Sequence, residues 1–267
     1  MSTSLIRTEV PADDPRQLHV LIDNPGARNG LTYEAAGELA RAIDQAAADP
    51  VIRCVVLRGA GQHFCSGADL KASAGLMKSG PDGLRKGLAE GFHAAVKALF
   101  ECPKPTLAVI RGAAVGFGFD LSLAADLRLA AHESTFGQVF TKIALVPDGG
   151  SSFTLPRLVG LGKAMELMLL AERFDGREAE RVGLVNHAVP DAELDGLAAE
   201  WARRLSDGPP LAFRLGKANL RAGAAGGHLA DALHREQDAQ AQCVTSKDAL
   251  IGVQAFFLKQ PPKFEGR

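Results

Sequence analysis

Two nearly continuous apolar runs constrain this chain most. "VIRCVVLRG" (Val51–Gly59) and "KPTLAVIRG" (Lys104–Gly112) both read as buried strands, and each opens into a glycine-bearing loop that leads toward a helix. "QLHVLID" (Gln17–Asp23) alternates and is rich in branched residues, so it reads as a further strand. "NPGARNG" (Asn24–Gly30) is a loop by its turn residues. Thr32 then caps a helix in which Leu39, Ile43 and Ala46 recur until Asp49-Pro50 stops it. An amphipathic helix is expected over Leu84–Cys102, and strands over Leu127–Gly137 and Leu184–Pro190. Strands and helices thus alternate through the first two thirds, an α/β pattern. The last third is mostly helical, with apolar stripes such as Leu211, Phe213 and Leu215 that suit packing on another subunit or on the chain itself.

Composition narrows the function classes. Lys plus Arg number 30 and Asp plus Glu 31, a balance that argues against a nucleic-acid-binding face. Phe supplies 13 of the aromatics, against one Trp and one Tyr, so base-stacking platforms are not expected. Four cysteines without a CxxC pair read as reduced thiols of a cytoplasmic protein. The N-terminal residues lack a signal-peptide pattern, and no apolar run reaches the ~18 residues of a membrane span. The seven histidines show no metal-ligand spacing, so no metal is expected.

Two strand-to-helix loops carry the chemistry. In "FCSGADL" (Phe64–Leu70), Gly67 permits a tight turn that aims the Ala68 amide into a cavity. In "GAAVGFGFD" (Gly112–Asp120), Gly116 and Gly118 free the backbone around Phe117 at the next helix start. Two amides aimed at one point would form an oxyanion hole.

Two acids lie near these amides. Asp120 falls nearly one helical turn after Phe117, either facing a pocket or complementing the helix dipole. Asp148, between Pro147 and Gly149-Gly150, is either a helix N-cap or a carboxylate held on a stiff loop among apolar neighbours. Burial would raise its pKa, which suits a base that must also return a proton.

The segments "RNGL", "HFCSGADL", "VIRGAAVGFGFDLSLAADLRLA", "STFGQVFTKIALVPDGGSSFTLPRLVG" and "AERFDGREAERVGLVNHAVP" occur in an order that resembles the crotonase, or enoyl-CoA hydratase/isomerase, superfamily. The resemblance runs from about residue 5 to the end. It implies an α/β spiral of repeated β-β-α units in two roughly perpendicular sheets over residues 1–190. A helical region, 191–267, would then build a homotrimer or a dimer of trimers. It also implies an acyl-CoA substrate, with coenzyme A entering as part of the substrate and no permanently bound cofactor. The oxyanion amides would be those of Ala68 and Phe117. Arg28, Leu31, Ser66, Asp69 and Leu70 would lie along the coenzyme A arm, and Phe256 and Lys259 would approach it from the C-terminal segment. The stretch from Ala72 to Gly83 would shape the acyl pocket.

The acids depart from the hydratase pattern. Hydratases of the superfamily use two glutamates, and their places fall here on Asp120 and Phe140. The aspartate at Asp148 and the "PD-x-GG" loop resemble the dienoyl-CoA and ring-epoxide isomerases instead. The expectation is an isomerase that shifts a C=C bond, with Asp148 as proton shuttle and Asp120 assisting. Alternatives are an enoyl-CoA hydratase using both aspartates, a serine hydrolase built on Ser66 and His63, and a non-catalytic acyl-CoA-binding member.

Overall fold

The computed structural model describes residues 4–72 and 80–267. A six-stranded sheet contains β1 (Ile6–Glu9), β2 (Gln17–Ile22), β3 (Cys54–Gly59), β4 (Thr106–Ile110), β6 (Leu127–Ala131) and β9 (His187–Val189), in the order β1-β2-β3-β4-β6-β9. The β1–β2 pair is antiparallel and the rest are parallel. A second sheet joins β5 (Ala113–Val115), β7 (Thr135–Gly137) and β8 (Phe174–Asp175). The chain therefore alternates a strand of the large sheet, a strand of the small one and a helix. This is the expected α/β crotonase-like spiral, followed by a helical C-terminal region.

The large sheet is apolar on both faces, which explains the unbroken apolar runs. Val55 and Leu57 of β3 face a core shared with α1 (Tyr33–Ala48), α3 (Phe92–Glu101) and α4 (Phe117–Ala124). Cys54 and Val56 face the opposite side, where Leu194, Ala198 and Ala202 of α7 (Asp191–Asp207) cover the sheet. Thr32 caps α1 as expected, its Oγ1 accepting from the Ala35 N–H at 3.1 Å.

Several expectations change. The Leu84–Cys102 helix is two helices, α2 (Gly80–Glu90) and α3, separated at Gly91. A Cβ on Gly91 would stand 2.4 Å from the Tyr33 carbonyl oxygen, so the break lets α3 close on α1. The Leu127–Gly137 strand is β6 and β7 in different sheets. The turn between them is closed by Ser134, whose N–H donates to the Ala131 carbonyl and whose hydroxyl donates to the Ile110 carbonyl. The loop after β3 forms bridges and turns through Ala72 rather than entering a helix within the described residues. Residues 73–79 of the expected acyl-pocket segment lie outside the described residues.

The remaining helices are α5 (Ser151–Leu170), α6 (Gly176–Arg181), α8 (Pro210–Ala224), α9 (Leu229–Val244) and α10 (Lys247–Leu258). Leu211, Phe213 and Leu215 are half-buried against the chain itself. The exposed apolar residues of this region are others, among them Leu220, Leu250, Phe256 and Phe257. Among the described residues no helix is long and apolar enough to cross a membrane.

Candidate active site

The two glycine loops meet backbone to backbone. Gly67 has φ +104° and Gly116 has φ +56°, conformations that favour glycine. Their approach is close: a Cβ on Gly67 would lie 2.9 Å from the Val115 carbonyl oxygen and 3.4 Å from the Phe117 nitrogen. The Cys65 N–H donates to the Ala113 carbonyl, and the Val115 N–H donates to the Cys65 carbonyl, which zips the first loop onto β5. Gly118 lets α4 start against Cys65, since a Cβ there would stand 2.2 Å from the Cys65 carbonyl oxygen. Among the described residues neither the Ala68 nor the Phe117 N–H has an acceptor. Two unspent amides, one at a helix N-terminus, thus stand on loops pinned together, the arrangement an oxyanion requires.

Asp120 is fully buried on α4. Its Oδ2 accepts from the Gly149 N–H at 3.0 Å and its Oδ1 from Gln138 Nε2 at 3.4 Å, with the Ser151 hydroxyl also bonded to the carboxylate. It therefore ties α4 to the Pro147–Ser151 loop, beyond any interaction with its own helix dipole. Burial pushes its pKa up to about 7 against the pull of these donors. Gly149 must be glycine here, because a Cβ would stand 2.6 Å from Asp120 Cβ and 2.9 Å from Phe117 Cδ2.

Asp148 is not the N-cap of α5. That position belongs to Gly150, in the left-handed region at φ +83°. Asp148 Oδ1 is buried and without a hydrogen-bond partner among the described residues, while its backbone carbonyl bonds His93 Nε2 at 2.9 Å. Burial raises its carboxyl pKa, and the nearby His93 opposes that rise. Phe140 is buried, so no acid stands at that place.

An aromatic stack underlies these groups. Tyr33 stacks on Phe92 at 4.5 Å between ring centroids, and Phe92 on Phe117 at 3.9 Å. Asn29 is fully buried and pins the preceding loop. Its Oδ1 accepts from the Asn24 N–H at 2.9 Å, and its Nδ2 donates to the carbonyls of Ala60 and His63.

The other expected site residues divide. Arg28 and Leu70 are exposed near the first loop. The Leu31 side chain is fully buried, and its backbone pairs with Gly67 and Asp69. Asp69 Oδ1 caps the following turn by accepting from the Lys71 and Ala72 N–H groups. The Ser66 hydroxyl donates to the Ala27 carbonyl at 3.0 Å, and His63 Nδ1 accepts from the Ala113 N–H at 3.2 Å. Neither bond joins serine to histidine, so the expected nucleophile and base are not paired. Phe256 and Lys259 stand at the exposed end of α10, which packs on α9, and the chain does not bring them to the loops.

Tyr33, Phe92, His93, Gln138 and Ser151 escaped sequence reading. They lie on four separate segments, and none carries a motif of its own. The Gly149-Gly150 pair beside Asp148 was the one local signal of close approach.

Residues 18–267 match the family model described as "Enoyl-CoA hydratase/isomerase". The chain is similar to a probable enoyl-CoA hydratase of Rhodobacter capsulatus, at 39% identity over 93% of this chain and 94% of that protein. It is also similar to the 1,2-epoxyphenylacetyl-CoA isomerase of Escherichia coli, at 32% identity over 92% and 94% of the two chains. Among solved structures, the enoyl-CoA hydratase of Bacillus anthracis superimposes with a TM-score of 0.92 at 32% identity, covering 98% of this chain and 100% of that one.

Proposed function

Because this chain belongs to the enoyl-CoA hydratase/isomerase family and so acts on acyl-CoA thioesters, we propose that its reaction is the shift of a carbon–carbon double bond in an enoyl-CoA. The observation that carries this reading is the state of the two acids. Asp148 keeps one buried oxygen unpartnered, whereas both oxygens of Asp120 are already taken by donors.

In this reading the thioester oxygen accepts from the Ala68 and Phe117 amides. Asp148 takes a proton from the carbon next to the double bond. The electron pair spreads through the conjugated system onto the thioester oxygen, where the two amides stabilise it. The same carboxyl, now protonated, gives its proton back at the far carbon. Charge and protons balance with one acid, and the raised pKa brings Asp148 closer to the point where both transfers are feasible. Asp120 assists by holding the Gly149 amide, which fixes the loop that carries Asp148.

Arg28, Ser66, Asp69 and Leu70 line the coenzyme A path in this proposal, and Leu31 acts through its backbone. Phe256 and Lys259 reach the coenzyme A of another subunit in a homotrimer or dimer of trimers. The exposed Phe256, Phe257 and Leu258 support that arrangement. Syn hydration is the second reading and would need Asp120 and Asp148 to share a water. The saturated Asp120 carboxylate weighs against it.

The test is a parallel assay of a 3-enoyl-CoA and a 2-enoyl-CoA. Isomerisation is expected to dominate, and Asp148→Asn to lower it by at least ~100-fold with little change in KM. Brisk hydration without isomerisation would refute the reading.

A further inference from the structure

We propose that Gln138 and Ser151 are positioning residues: together they hold the Asp120 carboxylate as an anion on the Gly149 amide and so set where Asp148 points. This rests on Asp148 being the proton carrier.

The geometry is a chain of contacts from one buried side chain to the next. Gln138 follows β7 and is 2% exposed, and Ser151 opens α5 at 1% exposed. Gln138 Nε2 lies 2.6 Å from Ser151 Oγ and 3.4 Å from Asp120 Oδ1. Ser151 Oγ accepts from the carboxamide, so its own proton is free for Asp120, to which it bonds. Asp120 Oδ2 then grips the Gly149 N–H, and Asp148 is the next residue along the backbone.

The orientation of Gln138 points to an anion. Its Oε1 is buried and has no partner among the described residues. A buried carboxamide beside a neutral acid would turn its carbonyl toward the acid's O–H. Here the amide nitrogen faces the carboxyl oxygen, and the carbonyl is the group left unpaired. That is the arrangement a carboxylate selects.

No Lys, Arg or His forms an ion pair with Asp120 among the described residues. The anion is held by neutral donors alone. The ionisable groups facing this cluster are Asp148 on the same loop, then His93 from α3 and Tyr33 from α1, and the last two act on Asp148. Removing Gln138 or Ser151 therefore withdraws a donor from Asp120 with no cation to compensate.

The experiment uses the full chain with 13C-carboxyl-labelled aspartate. The Asp120 titration is followed by NMR in the unliganded protein, and steady-state kinetics are run on the same samples. Gln138→Met and Ser151→Ala should each move the Asp120 midpoint upward by about one pH unit. Each should lower kcat with KM nearly unchanged, and shift the acid limb of the pH–rate profile in the same direction. A midpoint unmoved in both variants would overturn the proposal, as would a fall in kcat with an unchanged pH profile. Ser151→Ala removes a single atom, so it keeps the test open if Gln138→Met does not fold. If the wild type hydrates rather than isomerises, the reaction assignment fails, while the Asp120 titration still decides the roles of Gln138 and Ser151.

Discussion

Replacing Asp120 with asparagine should stabilise this protein above neutral pH while impairing it as an enzyme. Asp120 is fully buried, and its pKa is pushed from an ordinary 3.8 to about 7. Burial is the largest cause, so the native state prefers the protonated acid. The folded pKa is raised, which means the native state binds more protons than the unfolded chain between these two values. Stability from this group is therefore fully present below about pH 4 and falls as pH rises toward 7. A separation of roughly three pH units corresponds to about 4 kcal/mol at 1.36 kcal/mol per unit, an upper bound once relaxation is allowed. The asparagine variant loses this pH-dependent term. Its carboxamide oxygen can still accept from the Gly149 N–H, and its amide can meet the unpaired Gln138 Oε1 if Gln138 turns over. Urea unfolding of wild type and Asp120→Asn at fixed protein concentration, from pH 4.5 to 8, measures the difference directly. The expected result is near parity at the acid end and a gain of up to about 4 kcal/mol at pH 8, or about 8 °C in Tm. Turnover should fall because the loop beneath Asp148 is no longer gripped by an anion. A variant no more stable than wild type at pH 8, or a gap that does not change with pH, would refute the reasoning.

Three further outcomes follow from close contacts. Gly149→Ala places a methyl 2.6 Å from Asp120 Cβ, so it should lose about 1–3 kcal/mol in chemical denaturation and most of the activity. Gly67→Ala forces a methyl toward the Val115 carbonyl at φ +104° and displaces the Ala68 amide; kcat should drop by about 100-fold or more. Ser66→Ala removes only the hydroxyl that donates to the Ala27 carbonyl, so activity should stay within a few-fold, and the wild type should not react with a fluorophosphonate probe. Labelling at Ser66 would restore the hydrolase reading.

What the linear chain determined is local. The apolar runs of β3 and β4, the Thr32 cap and the glycines at 67 and 116 were legible because each follows from a side chain and its immediate backbone. The order of motifs also carried the family, and with it the two amides. Folding decided what touches what. Gly91 divides a helix because Tyr33 lies across from it, and Ser134 divides a strand because the chain must change sheets at that point. Asp120 read as either a pocket acid or a dipole partner until Gly149 supplied an N–H from another segment. The Gln138–Ser151 contact and the Tyr33–Phe92–Phe117 stack join residues that share no sequence signal. Parallel strands bring distant segments side by side, and a buried donor takes whichever acceptor packing leaves beside it. That choice belongs to the tertiary structure, and here it separates a carboxylate that holds a loop from one free to move a proton.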